Sequence, residues 1–358
     1  MKILTLVGTR PELIRLCVII SKLNKVSDHI LVHTGQNYDF ELSQIFFKDL
    51  NIKEPDYFLN AKGTFSEQIS IMFPKFEKII KKENPDRVLI LGDTNSSLCA
   101  IICKRLQIPV FHMEAGNRSF DNRMPEEVNR KLIDHSSSIL LPYSNSSMMN
   151  LIQEGIPKNK IYVTGNPIYE VINNFSSQIN KSQILKKLKI KKNNYLLVTI
   201  HREENVDEKS NFKNILNSLN ELAKKYQIKI IWPIHPRSKL KYEKQTINLH
   251  SNVMLVKPIG FFDFVKLEKE SKCILTDSGT VQEECSIFSK PYLVLRSTTE
   301  RPEALEKGSG ILCGLEPTNV LKSFEVLMKF KGKYPIPEDY ISPHNSDVVI
   351  KLLFGANI

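Results

Sequence analysis

Residues 88–135 read VLILGDTNSSLCAIICKRLQIPVFHMEAGNRSFDNRMPEEVNRKLIDH. VLIL is a short apolar run, the pattern of a buried strand. GDTNSS breaks it, LCAIICKRL has helical spacing, and IPVFHM is a second buried strand followed at once by EAGNR. MPEEVNRKLIDH then opens with Pro and two acids, a helix-start signal. Strand, helix, strand, helix with no hairpin turns predicts a parallel sheet covered by helices. It also puts Asp93, Glu114 and Glu126 at strand ends or at a helix start, the edge where open parallel sheets bind ligands.

Each acid also has a plain structural explanation. Asp93 before Thr-Asn-Ser-Ser suits a helix cap. Glu126 and Glu127 suit a helix dipole. Glu114 is harder to explain by packing, because it follows a buried strand and precedes Gly and Arg118. Three acids on one edge, with Arg118 and Arg123 between them, point to general acid/base chemistry.

The same alternation runs through the chain. KILTLV at 2–7 reads as the first strand, and GTRPE leads into a helix with Pro11 in its first turn. Arg10 and Arg15 flank a helix start, where backbone N–H groups favour anions; two solvated arginines beside a tight turn is the alternative. HILVHTGQNYD at 29–39 is the next strand and loop. The polar, basic stretch FSSQINKSQILKKLKIKKNN reads as a connection, after which strands are predicted at 195–200, 228–234, 252–255, 272–276, 291–295 and 310–313. SDVVIKLLFG reads as a last helix. The expected fold class is therefore α/β, with two doubly wound Rossmann-like domains facing across a cleft. Their expected extents are 1–170, with a C-terminal helix at 345–358 packed back on it, and 171–344.

In the second half, TDSGTVQEE follows a buried strand. Ser278, Gly279 and Thr280 open a helix whose N–H groups and hydroxyls would seat a phosphate. Glu284, further along that helix, suits a ribose diol; a capping box explains the same residues. His201 ends the strand YLLVTI beside Arg202. His235, in PIHPR, is as well explained by a turn before Pro236.

GDTNSS, HMEAGNRSFDNRMPEEVNR and TDSGTVQEE resemble the non-hydrolysing UDP-N-acetylglucosamine 2-epimerase family, and the resemblance extends over nearly the whole chain. It implies a GT-B type enzyme that inverts C2 of a UDP-N-acetylhexosamine. C2–H is hardly acidic, so loss of UDP from C1 to a glycal, with later re-addition, is the expected route. Asp93, Glu114 and Glu126 would move the proton. His201, grouped with them, would meet the diphosphate together with Arg10, Ser278 and, in support, Arg15. Arg118, Gly279, Thr280, Glu284 and Arg301 complete the expected substrate contacts. No metal and no redox cofactor are called for.

The middle stretch resembles most the branch that makes UDP-N-acetyl-L-fucosamine for surface polysaccharide. Its 6-deoxy sugar would suit an apolar contact from Phe120 or Met124, although both could equally be packing. In Thr34–Leu42, Asp39 and Glu41 stand where the regulated bacterial enzymes carry residues for a second, activating nucleotide sugar, and two carboxylates would repel that diphosphate. RSTTERPEAL at 296–305 looks instead like the glucosamine branch. The alternatives are therefore a UDP-N-acetylglucosamine/UDP-N-acetylmannosamine epimerase and a glycosyltransferase of the same architecture.

Composition narrows the class. The chain has 358 residues and a net charge of +11, with lysines scattered and no basic stripe carrying aromatics. Nucleic-acid binding is not expected. Six cysteines without CxxC or metal-ligand spacing fit buried, reduced thiols. The apolar start MKILTLV is too short for a signal peptide, and no run is long enough for a membrane span. The expectation is a cytoplasmic homodimer acting on a small UDP-sugar.

Overall fold

The computed structural model describes residues 1–36, 47–330 and 332–356, and the chain divides into two compact units. The first comprises Met1–Asn174 and Asp339–Ile358, the second Phe175–Glu338.

The strands of the first unit are β1 (Lys2–Val7), β2 (Asp28–His33), β3 (Tyr57–Phe58), β4 (Arg87–Leu91), β5 (Val110–Met113) and β6 (Ile139–Leu141). The second unit has β7 (Tyr195–Thr199), β8 (Lys229–Pro233), β9 (Val253–Val256), β10 (Cys273–Thr276), β11 (Tyr292–Val294) and β12 (Gly310–Leu312). Each set forms a parallel sheet, ordered β3-β2-β1-β4-β5-β6 and β12-β11-β10-β7-β8-β9. Both orders are that of a Rossmann fold, with the topological switch between β1 and β4 and between β7 and β10. The expected α/β class with two doubly wound units is what is found.

The strands read as unbroken apolar runs because helices cover both faces. In the second unit Leu196 and Val198 join Trp232 and Phe212 in one buried cluster. The intervening Tyr195 and Leu197 join Ile231, Ile274 and Val281 in another. Alternate side chains of a strand point to opposite faces, so two cores need an apolar residue at every position.

The stretch expected to be a connection is instead structured. Helices Ser176–Lys181 and Ile184–Lys187 occupy it, and Ile179, Ile184 and Ile190 are buried in the second unit. The lysines dominate its composition, but the isoleucines are spaced so that they turn inward together. The last helix, Asn345–Gly355, packs on the Arg10–Val26 helix of the first unit. Arg87 closes its end: its guanidinium donates to the carbonyls of Leu353 and, at 3.1 Å, Ala356, where the helix dipole favours a cation. All six cysteines are free and buried. No described helix is long and apolar enough to cross a membrane.

Gly8 ends β1 where three loops meet. A Cβ there would lie 1.8 Å from Ser96 Oγ and 2.5 Å from Thr34 Oγ1, and those two hydroxyls are hydrogen-bonded to each other at 2.6 Å. Gly8→Ala should therefore cost about 1–3 kcal/mol, the usual scale of overpacking, measured by denaturant unfolding. Wild-type stability in that variant would mean the two hydroxyls move aside freely.

Candidate active site

At the first switch point, β1 runs into Gly8-Thr9-Arg10 and β4 into Gly92-Asp93-Thr94, with β5 ending beside them at Glu114. Gly92 N donates to Met113 O at 3.0 Å, which sets Glu114 alongside Gly92. The Glu114 carboxylate lies only 3.9 Å from where a Gly92 Cβ would be. Glu114 has φ +65°, a left-handed conformation that costs an ordinary side chain energy and that clusters at functional sites. Asn117 Nδ2 donates to its Oε1 at 3.4 Å.

Two buried carboxylates hold the loop after Glu114. Asp134 accepts from Gly116 N at 3.1 Å and contacts His112 Nδ1 and Arg118 Nη2, each at 2.8 Å. Burial works against its charge, but His112 and Arg118 more than offset that and hold the carboxyl below its ordinary range. A side chain at Gly116 would run into the Ser147 carbonyl, 2.2 Å from its Cβ, and Gly116 itself has φ +78°. Glu127 accepts from Ser119 N at 2.9 Å, Phe120 N at 3.1 Å and Arg130 Nη1 at 2.7 Å. Desolvation is again outweighed, here by the Ser119 amide and Arg130, and the carboxyl is held low. Arg130 also reaches Asp93 Oδ2 at 2.7 Å, so one guanidinium links Asp93 to the loop anchor.

These contacts sort the expected residues. Asp93, Glu114 and Glu126 are all partly exposed, with Glu126 in the first turn of the Pro125–Ser136 helix. Arg118 is turned inward: its guanidinium is fully buried and bonded to Asp134 and, through Nε at 2.7 Å, to Glu154. That geometry makes it a positioning residue for the 114–120 loop. Arg123 is exposed and forks onto Asp121 at 2.8 and 2.7 Å. Arg10 is partly exposed at the helix start, whereas Arg15 is only 2% exposed. Met124 is 5% exposed and belongs to the packing, while Phe120 is 73% exposed. Asp39 and Glu41 lie outside the described residues.

At the second switch point, buried Asp277 plays the part of Asp134. It accepts from His201 N at 3.1 Å, Arg202 N at 3.0 Å and Asn205 Nδ2 at 3.1 Å. This fixes the turn that leaves the His201 ring exposed, 6.4 Å from that of His235. Ser278 is the N-cap residue of the Gly279–Ile287 helix, and its Oγ lies 3.0 Å from Thr280 Oγ1. A Cβ on Gly279 would come within 2.6 Å of Glu300 Oε1. Glu300 is gripped by Arg296 at 2.7 Å and Arg202 at 3.1 Å, and Arg301 Nε donates to Glu283 at 2.5 Å. Arg301 is thereby buried beside the helix start, tied to a carboxylate. Among the described residues, no cluster of His, Cys, Asp and Glu is arranged to hold a metal.

Sequence reasoning missed Glu12, Glu127, Asp134 and Asp277 as site builders. Glu12 is buried behind the β1 loop, accepting from Gly8 N at 2.5 Å and Thr9 Oγ1 at 3.1 Å. Burial pushes its carboxyl up to about 7, against those hydrogen bonds. The folded protein thus retains a proton that the unfolded chain releases above the ordinary carboxyl value of 4.5. The stability from this protonated carboxyl is present in full below pH 4.5 and is lost as pH rises through about 7. The melting temperature of wild type relative to Glu12→Gln should fall across that window and level off above it. Parallel pH curves would rule this out.

Comparison with known proteins bears on what such an edge is for. A family model described as UDP-N-acetylglucosamine 2-epimerase matches residues 21–353. A UDP-N-acetylglucosamine 2-epimerase of Methanococcus maripaludis is 39% identical, covering 99% of this chain and 98% of the relative. A UDP-2,3-diacetamido-2,3-dideoxy-D-glucuronate 2-epimerase of Pseudomonas aeruginosa is 36% identical, covering 90% and 91%. The crystal structure of the Methanocaldococcus jannaschii UDP-GlcNAc 2-epimerase in complex with UDP-GlcNAc and UDP superposes with a TM-score of 0.93 at 38% identity, covering 99% of both chains. Likeness of this extent in both sequence and fold means that the chain belongs to the UDP-N-acetylglucosamine 2-epimerase family and is an isomerase.

Proposed function

We propose that the protein inverts C2 of a UDP-N-acetylhexosamine, with UDP-N-acetylglucosamine the substrate its relatives' names support, by eliminating UDP and adding it back. The observation that carries this reading is Glu114, a carboxylate at φ +65° on the edge that also holds Asp93. C2 carries no adjacent carbonyl, so a carboxylate alone would remove its proton far too slowly. Departure of UDP from C1 gives that carbon oxocarbenium character and acidifies C2–H. The glycal so formed is reprotonated on its other face, and UDP returns.

Two acid/base groups on opposite faces of the sugar are then needed, and Asp93, Glu114 and Glu126 are the set from which they come. Arg130 Nε donates to Asp93 Oδ2 at 2.9 Å and holds that side chain in place. The leaving diphosphate needs positive charge and oriented donors. Arg10, His201 and the Ser278-Gly279-Thr280 helix start supply them, with Arg15 and Arg301 as charge behind. Glu284 takes the ribose hydroxyls. Six buried free thiols suit an enzyme of the cytoplasm, and the same reading has it working there as a homodimer.

A second reading of the substrate rests on Phe120, which is exposed at φ +56° in the 117–124 run. An apolar ring there would suit the methyl group of a 6-deoxy sugar, as in UDP-N-acetyl-L-fucosamine synthesis for surface polysaccharide. Offering both nucleotide sugars to the enzyme separates the two, and faster turnover of UDP-N-acetylglucosamine would exclude the 6-deoxy preference. Turnover without an acceptor separates an epimerase from a glycosyltransferase. Free UDP rising in step with product would mean hydrolysis.

Asp93→Asn, Glu114→Gln and Glu126→Gln should each lower kcat by roughly a hundredfold or more, the scale of general acid/base contributions. UDP affinity should survive in all three, measured by calorimetry, because the nucleotide seat belongs to the second unit. Near-wild-type turnover in the Glu114 variant would return that residue to a purely structural role.

A further inference from the structure

We propose that Glu268 and Glu284 share a single proton, and that Glu268 orients the Glu284 carboxylate toward the nucleotide; the second half rests on the reading of Glu284 as the ribose acceptor. Glu268 lies in the last turn of the Phe261–Glu270 helix and Glu284 in the Gly279–Ile287 helix, and these helices pack together. Glu268 is 0% exposed and Glu284 6%.

Among the described residues, neither Glu268 oxygen meets an N–H or O–H donor. The Glu284 carboxyl faces Glu268 within hydrogen-bonding reach across the two packed helices. Two ionised carboxylates only accept, and they repel each other. Their contact becomes a hydrogen bond when one keeps its proton, and the pair then titrates as a unit.

Glu268 is the member that keeps it. Full burial, and then the charge of Glu284, push its carboxyl well above the carboxylate range. Its place at a helix C-terminus further disfavours negative charge. The contrast with Glu270, two residues on, is sharp. Glu270 meets Lys192 at 2.8 Å and Lys266 at 3.3 Å, and although burial opposes ionisation, those lysines hold its carboxyl low. Other titratable groups around the pair are Tyr195 from β7, pushed up by burial first and then by Glu270 and Glu268, and Cys285 beside Glu284, pushed up by burial first and then by Glu268 and Glu284. Lys290 faces Cys285 but is bound to Ser271 O at 2.9 Å and Asn193 Oδ1 at 3.1 Å.

A protonated Glu268 donates to one oxygen of Glu284. That fixes the rotation of the carboxylate and leaves its remaining lone pairs to accept hydroxyls. Glu268 is a positioning residue in this scheme and does not touch the nucleotide.

The test is infrared spectroscopy of the whole protein at neutral pH in deuterium oxide. Wild type should show the carbonyl stretch of a protonated carboxylic acid that is missing from Glu268→Gln and shifted in frequency in Glu284→Gln, where Glu268 keeps its proton but loses the carboxylate it donates to. If Glu268→Gln loses no such band, or Glu284→Gln leaves it unshifted, the two carboxyls do not share a proton and the proposal falls. UDP calorimetry tests the positioning. Glu268→Gln replaces the acid O–H by an amide N–H and should keep near-wild-type affinity. Glu268→Leu should bind UDP about tenfold more weakly, the scale of one hydrogen bond to a charged group. Wild-type affinity in the leucine variant would overturn the positioning role. Unchanged UDP affinity in Glu284→Gln would instead sink the ribose reading, leaving proton sharing to be judged by the spectrum.

Discussion

A loop leaving a buried parallel strand has backbone N–H groups that no neighbouring strand can satisfy, and here buried carboxylates satisfy them. Glu12 takes the amide of Gly8, Asp134 that of Gly116, Glu127 those of Ser119 and Phe120, and Asp277 those of His201 and Arg202. A charged acceptor, as at Asp134 and Glu127, makes these bonds stronger than neutral ones and fixes loops that would otherwise be soft. Each anchor sits at a switch point or just behind one, so the groups left exposed are held from beneath. Glu114 keeps its left-handed backbone because the residues that follow it are pinned in this way.

The carboxylates divide by environment. Asp134 and Glu127 have cations against them and stay ionised. Glu12 and Glu268 lack that compensation in full measure, and burial holds protons on them. One residue type thus supplies fixed charge in some places and a retained proton in others, and desolvation against local charge decides which.

Most of the fold was legible in the sequence because both faces of each sheet are covered. Apolar runs bounded by Gly, Asp and His located the second unit's strands to within one or two residues, as at 195–200 against Tyr195–Thr199. The failure at 176–190 has the same physics in reverse. Three inward isoleucines among four lysines are too few to change the composition, yet they suffice to seat two short helices on the core. At the site, residues at strand ends were legible from position alone. The anchors were not. Glu127 looks like a helix-dipole acid, and only the folded loop shows it receiving two amides and an arginine. Arg118 had the opposite fate: beside the acids in sequence, it points away from them into Glu154 and Asp134.

The central claim is that the acids at the first switch point take a proton from C2 and return one from solvent. The direct measurement is to run the purified protein with UDP-N-acetylglucosamine in deuterium oxide and read C2 of the product by NMR. The account predicts deuterium at C2 of the epimerised sugar and, as the reaction reverses, in the recovered substrate. Epimerised product that keeps its original hydrogen at C2 would contradict it.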